Sequence, residues 1–253
     1  MSLGVFMKFS LRVVCGISIS SIAVSSNANL VTNGSFEATS AFPATDNYIP
    51  VTGATVIPGW ASSYYGGEAV VRPKWLADGC VFCSPNFQEF TFSGPLPASS
   101  PDGGNFIFSD ANFLNSPITQ TISGLTINKV YNLKFYQALS QPLFASPGLG
   151  TPGAISAEWS VSFFGTQSGG ILTANGATGS ISPWSLQSLN FTATATSGVL
   201  SFLAIGGGDP PTIMLDGVSL QAVPEPGTWL MMLVGFLAVG GVYRRNRWRY
   251  VAA

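Results

Sequence analysis

The 253-residue chain contains no histidine. That removes a Ser-His-Asp triad, a Cys-His dyad, His-ligated zinc and imidazole acid–base chemistry near neutral pH. Paired carboxylates facing one glycosidic bond are the catalytic device that survives. Eleven Asp and Glu are present, but none stands in a recognisable catalytic motif. Neither Lys129 nor Lys134 follows a serine at S-x-x-K spacing, so no Ser–Lys dyad is marked. Gly206-Gly207-Gly208 lacks the Lys/Ser and the following helix that a phosphate loop needs, and reads as a turn between two strands. Cys80 and Cys83 form a C-x-x-C with no second cysteine pair and no histidine to complete a metal site. Aromatic rings can serve as flat platforms for sugar rings when amides and carboxylates surround them. Tyr64, Tyr65 and Trp75 are the ligand-binding candidates of this kind; Trp60 and Trp184 divide evenly between platform and core. Trp159 alternates with Val161 and Phe163 and belongs to a core.

Strands must hold these residues. Runs at 116–123, 129–139, 157–164, 186–195, 198–205 and 213–220 are rich in β-branched and aromatic residues. Several alternate apolar with polar positions, and Gly, Pro, Asn and Ser clusters separate them. No stretch of the middle carries a 3.6-residue apolar stripe, and no internal repeat has a fixed period. The expected fold is an all-β sandwich with jelly-roll or Greek-key connections. Residues 38–104 and 140–154 read as long loops, rich in Pro and Gly.

The two ends have a different character. Lys8 and Arg12 precede the segment LRVVCGISISSIAV, and Ser26-Asn27-Ala28 supplies the small residues of a signal-peptidase site. Residues 1–28 are therefore expected to be a signal peptide. At the other end, Pro224-Glu225-Pro226 leads into an apolar run from Thr228 to Tyr243, followed by Arg244, Arg245, Arg247 and Arg249. Sixteen residues fall short of the usual span of about 20, and flanking Trp, Tyr and Arg extend the reach by snorkelling. The arginines place the C-terminus in the cytoplasm and the middle outside. Between the ends, four basic residues stand against ten acidic ones over 29–223, a net charge of −6. Such an acidic middle does not favour nucleic acid or anionic lipid as a partner.

This tail resembles the PEP-CTERM sorting signal of exported Gram-negative bacterial proteins. The resemblance covers 223–253 and implies recognition by an exosortase, a membrane protease-transpeptidase. It also implies a transient hold in the inner membrane, then transfer to the cell surface or extracellular matrix. A permanent one-pass anchor is the plainer alternative. In an oxidising envelope Cys80–Cys83 reads as a local disulfide stapling the first long loop; a redox pair and two free thiols are the other readings.

The middle opens with NLVTNGSFE at 29–37, continues with Ile57-Pro58-Gly59-Trp60, and closes with IMLDGVSL at 213–220. These motifs resemble galactose-binding-like jelly rolls of carbohydrate-binding modules and the DUF642 wall-associated family, over most of 29–222. The resemblance implies a structural Ca²⁺ between the first and last strands. Glu37 and Asp216 match its acidic positions, and hard oxygen ligands suit that ion. The plainer reading is a solvated Glu37 and an Asp216 that makes a turn or bulge before Gly217. The expectation is a non-catalytic exported protein with a structural or carbohydrate-binding role linked to exopolysaccharide. The alternatives are a surface protein without ligand and a carboxylate-dependent glycan hydrolase.

Overall fold

The computed structural model describes residues 28–41, 48–51, 55–62, 68–71, 80–81, 90–91, 100–112, 116–141, 154–174, 180–208, 211–224 and 226–251. Two antiparallel sheets face one another. The seven-stranded sheet contains β1 (Tyr48–Pro50), β3 (Glu68–Val71), β6 (Phe106–Asp110), β8 (Val130–Gln141), β12 (Ser180–Ile181), β13 (Ser185–Thr192) and β15 (Thr212–Ala222). The six-stranded sheet contains β2 (Ala61–Ser62), β7 (Ile118–Ser123), β9 (Ile155–Ser162), β10 (Thr166–Ser168), β11 (Leu172–Ala174) and β14 (Ser197–Gly207). A small third pair joins β4 (Cys80–Val81) to β5 (Phe90–Thr91). From β6 onward the chain passes repeatedly between the two sheets, and β15 inserts between β6 and β8 while β14 inserts between β7 and β9. This is the jelly-roll sandwich the strand pattern implies.

Alternation explains the core. Ile155, Ala157, Trp159 and Val161 point inward from β9, and Leu133, Phe135 and Leu139 point inward from β8. Phe202 of β14 sits among three rings: Phe135 at 5.2 Å, Trp60 at 6.1 Å and Trp159 at 6.2 Å. These edge-on and tilted contacts suit the aromatic quadrupole. Trp60 and Trp159 are both buried, so both are core residues.

Two expectations need correction. Residues 38–104 do not form one loop, because β1 to β5 lie within them. These strands are only two to four residues long, too short to display a period; β1 pairs with β3 and β4 with β5, while β2 joins β7 and β3 also joins β6. Gly206 and Gly207 belong to β14, and the turn begins only at Gly208. Pro226 is the first residue of α1 (Pro226–Val251), where its missing N–H costs nothing and its fixed φ suits a helix start.

Arg244, Arg245, Arg247 and Arg249 lie on α1, and Arg244 is exposed. Met231, Leu233, Val234, Phe236, Leu237 and Val239 are exposed along it as well. Among the described residues no helix is long and apolar enough to cross a membrane. The apolar run itself is short, at about 24 Å for sixteen residues at 1.5 Å each, against a hydrocarbon core of about 30 Å.

Candidate functional site

The opening segment runs along the closing strand. Leu30 N–H donates to Leu220 O at 3.0 Å, and Val218 N–H donates to Gly34 O at 2.9 Å. Asn29 Oδ1 accepts from both Val31 N–H and Leu220 N–H, at 3.0 and 2.9 Å. The same segment is tied to the opposite sheet. Gln120 of β7 accepts from Thr32 N–H and donates to Thr32 O, both at 2.8 Å. Trp60 Nε1–H is shared between Thr32 O and Asn33 O at 3.1 Å each. One short stretch of chain thus closes the seam between both sheets and satisfies its backbone while doing so.

Closing the seam strains it. Asn33 and Phe36 have φ of 50° and 55°, a region that L-residues occupy at a cost of about 1–2 kcal/mol. Phe36 is fully buried and packs on Trp60 at 5.4 Å. Asn33 holds Ala38 by two bonds, to its N–H at 3.0 Å and its carbonyl at 2.8 Å. Burial and these bonds offset the strain and fix where Glu37 points. Its Oε1 accepts from Asn105 N–H at 2.7 Å, while Asn105 Nδ2 donates to Phe36 O at 3.3 Å. The Glu37 carboxylate occupies the space a Cβ would take on Gly104, whose φ is 61°. Only glycine fits there on both counts.

Asp216 lies across the seam, on β15, where the pairing with β8 shifts between Asp216 and Ser219. That is a β-bulge, as the Asp-Gly pair implied. Its side chain is fully buried, and neither carboxylate oxygen has a hydrogen-bond partner. Burial is the main force pushing its pKa up to about 8; Ser100 and the Gly217 N–H pull it down, and the Asp102 and Glu37 charges raise it further. Ser100 and Gly217 are near enough to influence the charge but do not complete hydrogen bonds. The structure therefore brings Glu37 and Asp216 to one place and adds Asp102, carried on the turn closed by Gly103 N–H to Ser100 O at 2.8 Å. Among the described residues no group of three or more His, Cys, Asp or Glu is close enough to hold a metal.

Tyr64, Tyr65, Trp75, Cys83 and Glu225 lie outside the described residues, as does the segment 1–27. Cys80 is a backbone member of β4 opposite Thr91. Trp184 is half-buried and meets Phe106 edge-on at 5.6 Å. A groove of about 550 Å³ opens beside the seam, with Asn29, Asp102, Lys134, Tyr136, Leu186 and Ser219 among its walls. Sequence reasoning missed this groove. The available signal was the outward pair Lys134 and Tyr136, which alternate with buried Leu133, Phe135 and Gln137 along β8.

Comparison with known proteins gives one family match: residues 222–247 fit the PEP-CTERM protein-sorting motif. The C-terminus therefore carries that motif, joined directly to the last strand of a jelly-roll sandwich. No curated protein matches the chain. Among solved structures, a cyclase from Fischerella sp. TAU in complex with 4-(1H-indol-3-yl)butan-2-one is similar over 77% of this chain and 96% of its own, at 15% identity and a TM-score of 0.46. The module TmCBM61 in complex with β-1,4-galactotriose is similar over 78% of this chain and 100% of its own, at 12% identity and a TM-score of 0.39. A structure titled "CBM4 structure and function" is similar over 76% and 99%, at 16% identity and a TM-score of 0.31.

Proposed function

We propose that this is an exported, non-catalytic surface protein whose sandwich serves a structural or carbohydrate-binding role in an extracellular polysaccharide matrix. The observation that carries the reading is the sorting motif at 222–247, beginning where β15 ends at Ala222. Removal of residues 1–28 would start the mature chain at Asn29. The helix α1 would then hold the protein in the inner membrane, arginines inward, until an exosortase acts near Pro224-Glu225-Pro226. The exposed apolar side chains of α1 support this, because a helix apolar on all sides needs lipid or a protein interior around it. Trp and Arg at its ends extend a short apolar run to the interfaces.

A raised carboxylic acid is also what a glycosidase needs as a proton donor. Asp216 has that pKa but no surface, since its side chain is sealed from solvent. Its two unpartnered oxygens suit a cation better. We propose that Asp216 and Glu37 hold a structural Ca²⁺, with backbone carbonyls and water supplying the other oxygens. The ion would hold the strained seam closed and relieve the burial cost of Asp216.

Loss of the exosortase in the producing bacterium is the test. The protein should then stay in the inner membrane at full length; undiminished surface release would defeat the sorting reading. A glycan array with the purified protein tests the second half. Binding to at least one matrix polysaccharide is expected, and silence across neutral and acidic glycans would leave only a structural role.

A further inference from the structure

Three strands contribute one outward patch to the groove beside the seam. Lys134 and Tyr136 are two residues apart on β8 and point the same way. Pairing sets Ser219 and Ser188 beside Lys134, and Leu186 beside Tyr136. Successive same-face residues of a strand are about 7 Å apart, roughly the width of a pyranose ring. Gly217 makes the floor: its φ is 58°, and a Cβ there would come within 2.9 Å of Tyr136 Cδ2 and 3.3 Å of Asp102 Cβ. Its absence leaves room for the Tyr136 ring and the Asp102 side chain over bare backbone.

The polar groups are poised for a ligand. Lys134 is exposed and makes no ion pair or hydrogen bond among the described residues. It is one of only four cations between residues 29 and 223. Asn29 spends its Oδ1 on two backbone amides, which leaves its Nδ2 free to donate. Asp102 stands on another wall as an acceptor. Leu186, at 53% exposed, continues the apolar surface of Tyr136.

We propose that this groove binds a hexuronic acid residue of an acidic polysaccharide. The uronate carboxylate pairs with Lys134. The ring face lies on Tyr136 and Leu186. Ring hydroxyls donate to Asp102 and accept from Asn29 Nδ2. A phosphate would meet the same lysine, but carries a greater charge against Asp102 and has no apolar face for Tyr136 and Leu186. A neutral sugar would leave the ammonium without its partner. This assignment rests on the carbohydrate-binding reading and gives it a ligand class and a location.

The test is titration of the full-length protein in detergent with tetragalacturonic acid and, separately, neutral galactotetraose. The expected result is binding of the acidic sugar that weakens with added salt. Lys134→Gln should weaken it at least tenfold, Lys134→Arg should retain most of it, and Leu186→Asp should weaken it again by repelling the carboxylate. Both sites are exposed, so each variant should melt with the wild type. Tetragalacturonate binding untouched by Lys134→Gln and Leu186→Asp would overturn the groove assignment and leave carbohydrate binding standing. Equal losses for acidic and neutral sugars would overturn the uronate preference. Failure of the wild type to bind either sugar, or any polysaccharide on the array, would overturn the carbohydrate reading itself.

Discussion

The seam at residues 29–37 and the helix α1 treat apolar side chains in opposite ways. At the seam, Val31, Phe36, Ile57 and Trp60 are buried, and the backbone around them is bonded to residues as far away as Leu220. In α1 the ladder is local, and Leu233, Phe236 and Leu237 are exposed at 61%, 65% and 74%. The sandwich supplies its own apolar interior. The helix carries the same kind of side chains and leaves them exposed. One chain therefore encodes a body that buries its own apolar side chains and a helix that leaves them exposed.

Substitutions should affect one region and spare the other. Trp60→Ala removes the ring that joins Phe36 to Phe202 and the donor shared by Thr32 and Asn33. It should cost about 3–5 kcal/mol in denaturant unfolding of the sandwich, with membrane association of α1 unchanged. Leu237→Arg should do the reverse. A charge at mid-helix costs about 2.5–3.5 kcal/mol on insertion, so the protein should leave the membrane fraction while its unfolding midpoint holds.

Asp216 adds a condition to the seam. Its folded pKa lies near 8, above the unfolded value near 4, so the folded state binds more protons between those limits. Its share of stability is present below about pH 4 and is lost as pH rises to about 8. In EGTA, melting temperature should therefore fall over that window, and Asp216→Asn should flatten the fall. Calcium should restore stability at neutral pH by about 2.7 kcal/mol at a hundred times its dissociation constant. A melting temperature indifferent to both chelator and calcium would remove the ion from the account.

Smaller effects sharpen the contrast. Asn29→Ala removes an oxygen that caps two backbone amides and should cost about 1–2 kcal/mol. Ile171→Ser alters a residue that is 67% exposed and should change stability by less than about 0.5 kcal/mol.

The sequence disclosed what repeats and concealed what depends on distant partners. β7, β8, β9, β13, β14 and β15 are long enough for a period of two to show. The same is not true of β6: Phe106, Ile107, Phe108 and Ser109 are all buried, so both faces are covered and no alternation survives. The seam announced itself through NGSFE and LDGVSL, the motifs that carry Glu37 and Asp216. Asn105 and Gly104 were not legible, because they matter only once the turn at 100–104 folds back beneath Glu37. Lys134 looked like one polar position in a strand; its significance appears only when β13 and β15 flank it.

The central claim is that the two ends are removed and the body between them is the working protein. Intact-mass analysis of protein released from the cell surface tests it most directly. A species that begins at Asn29 and ends near Pro226 is the predicted result. A surface product that retains α1 and its arginines would contradict it.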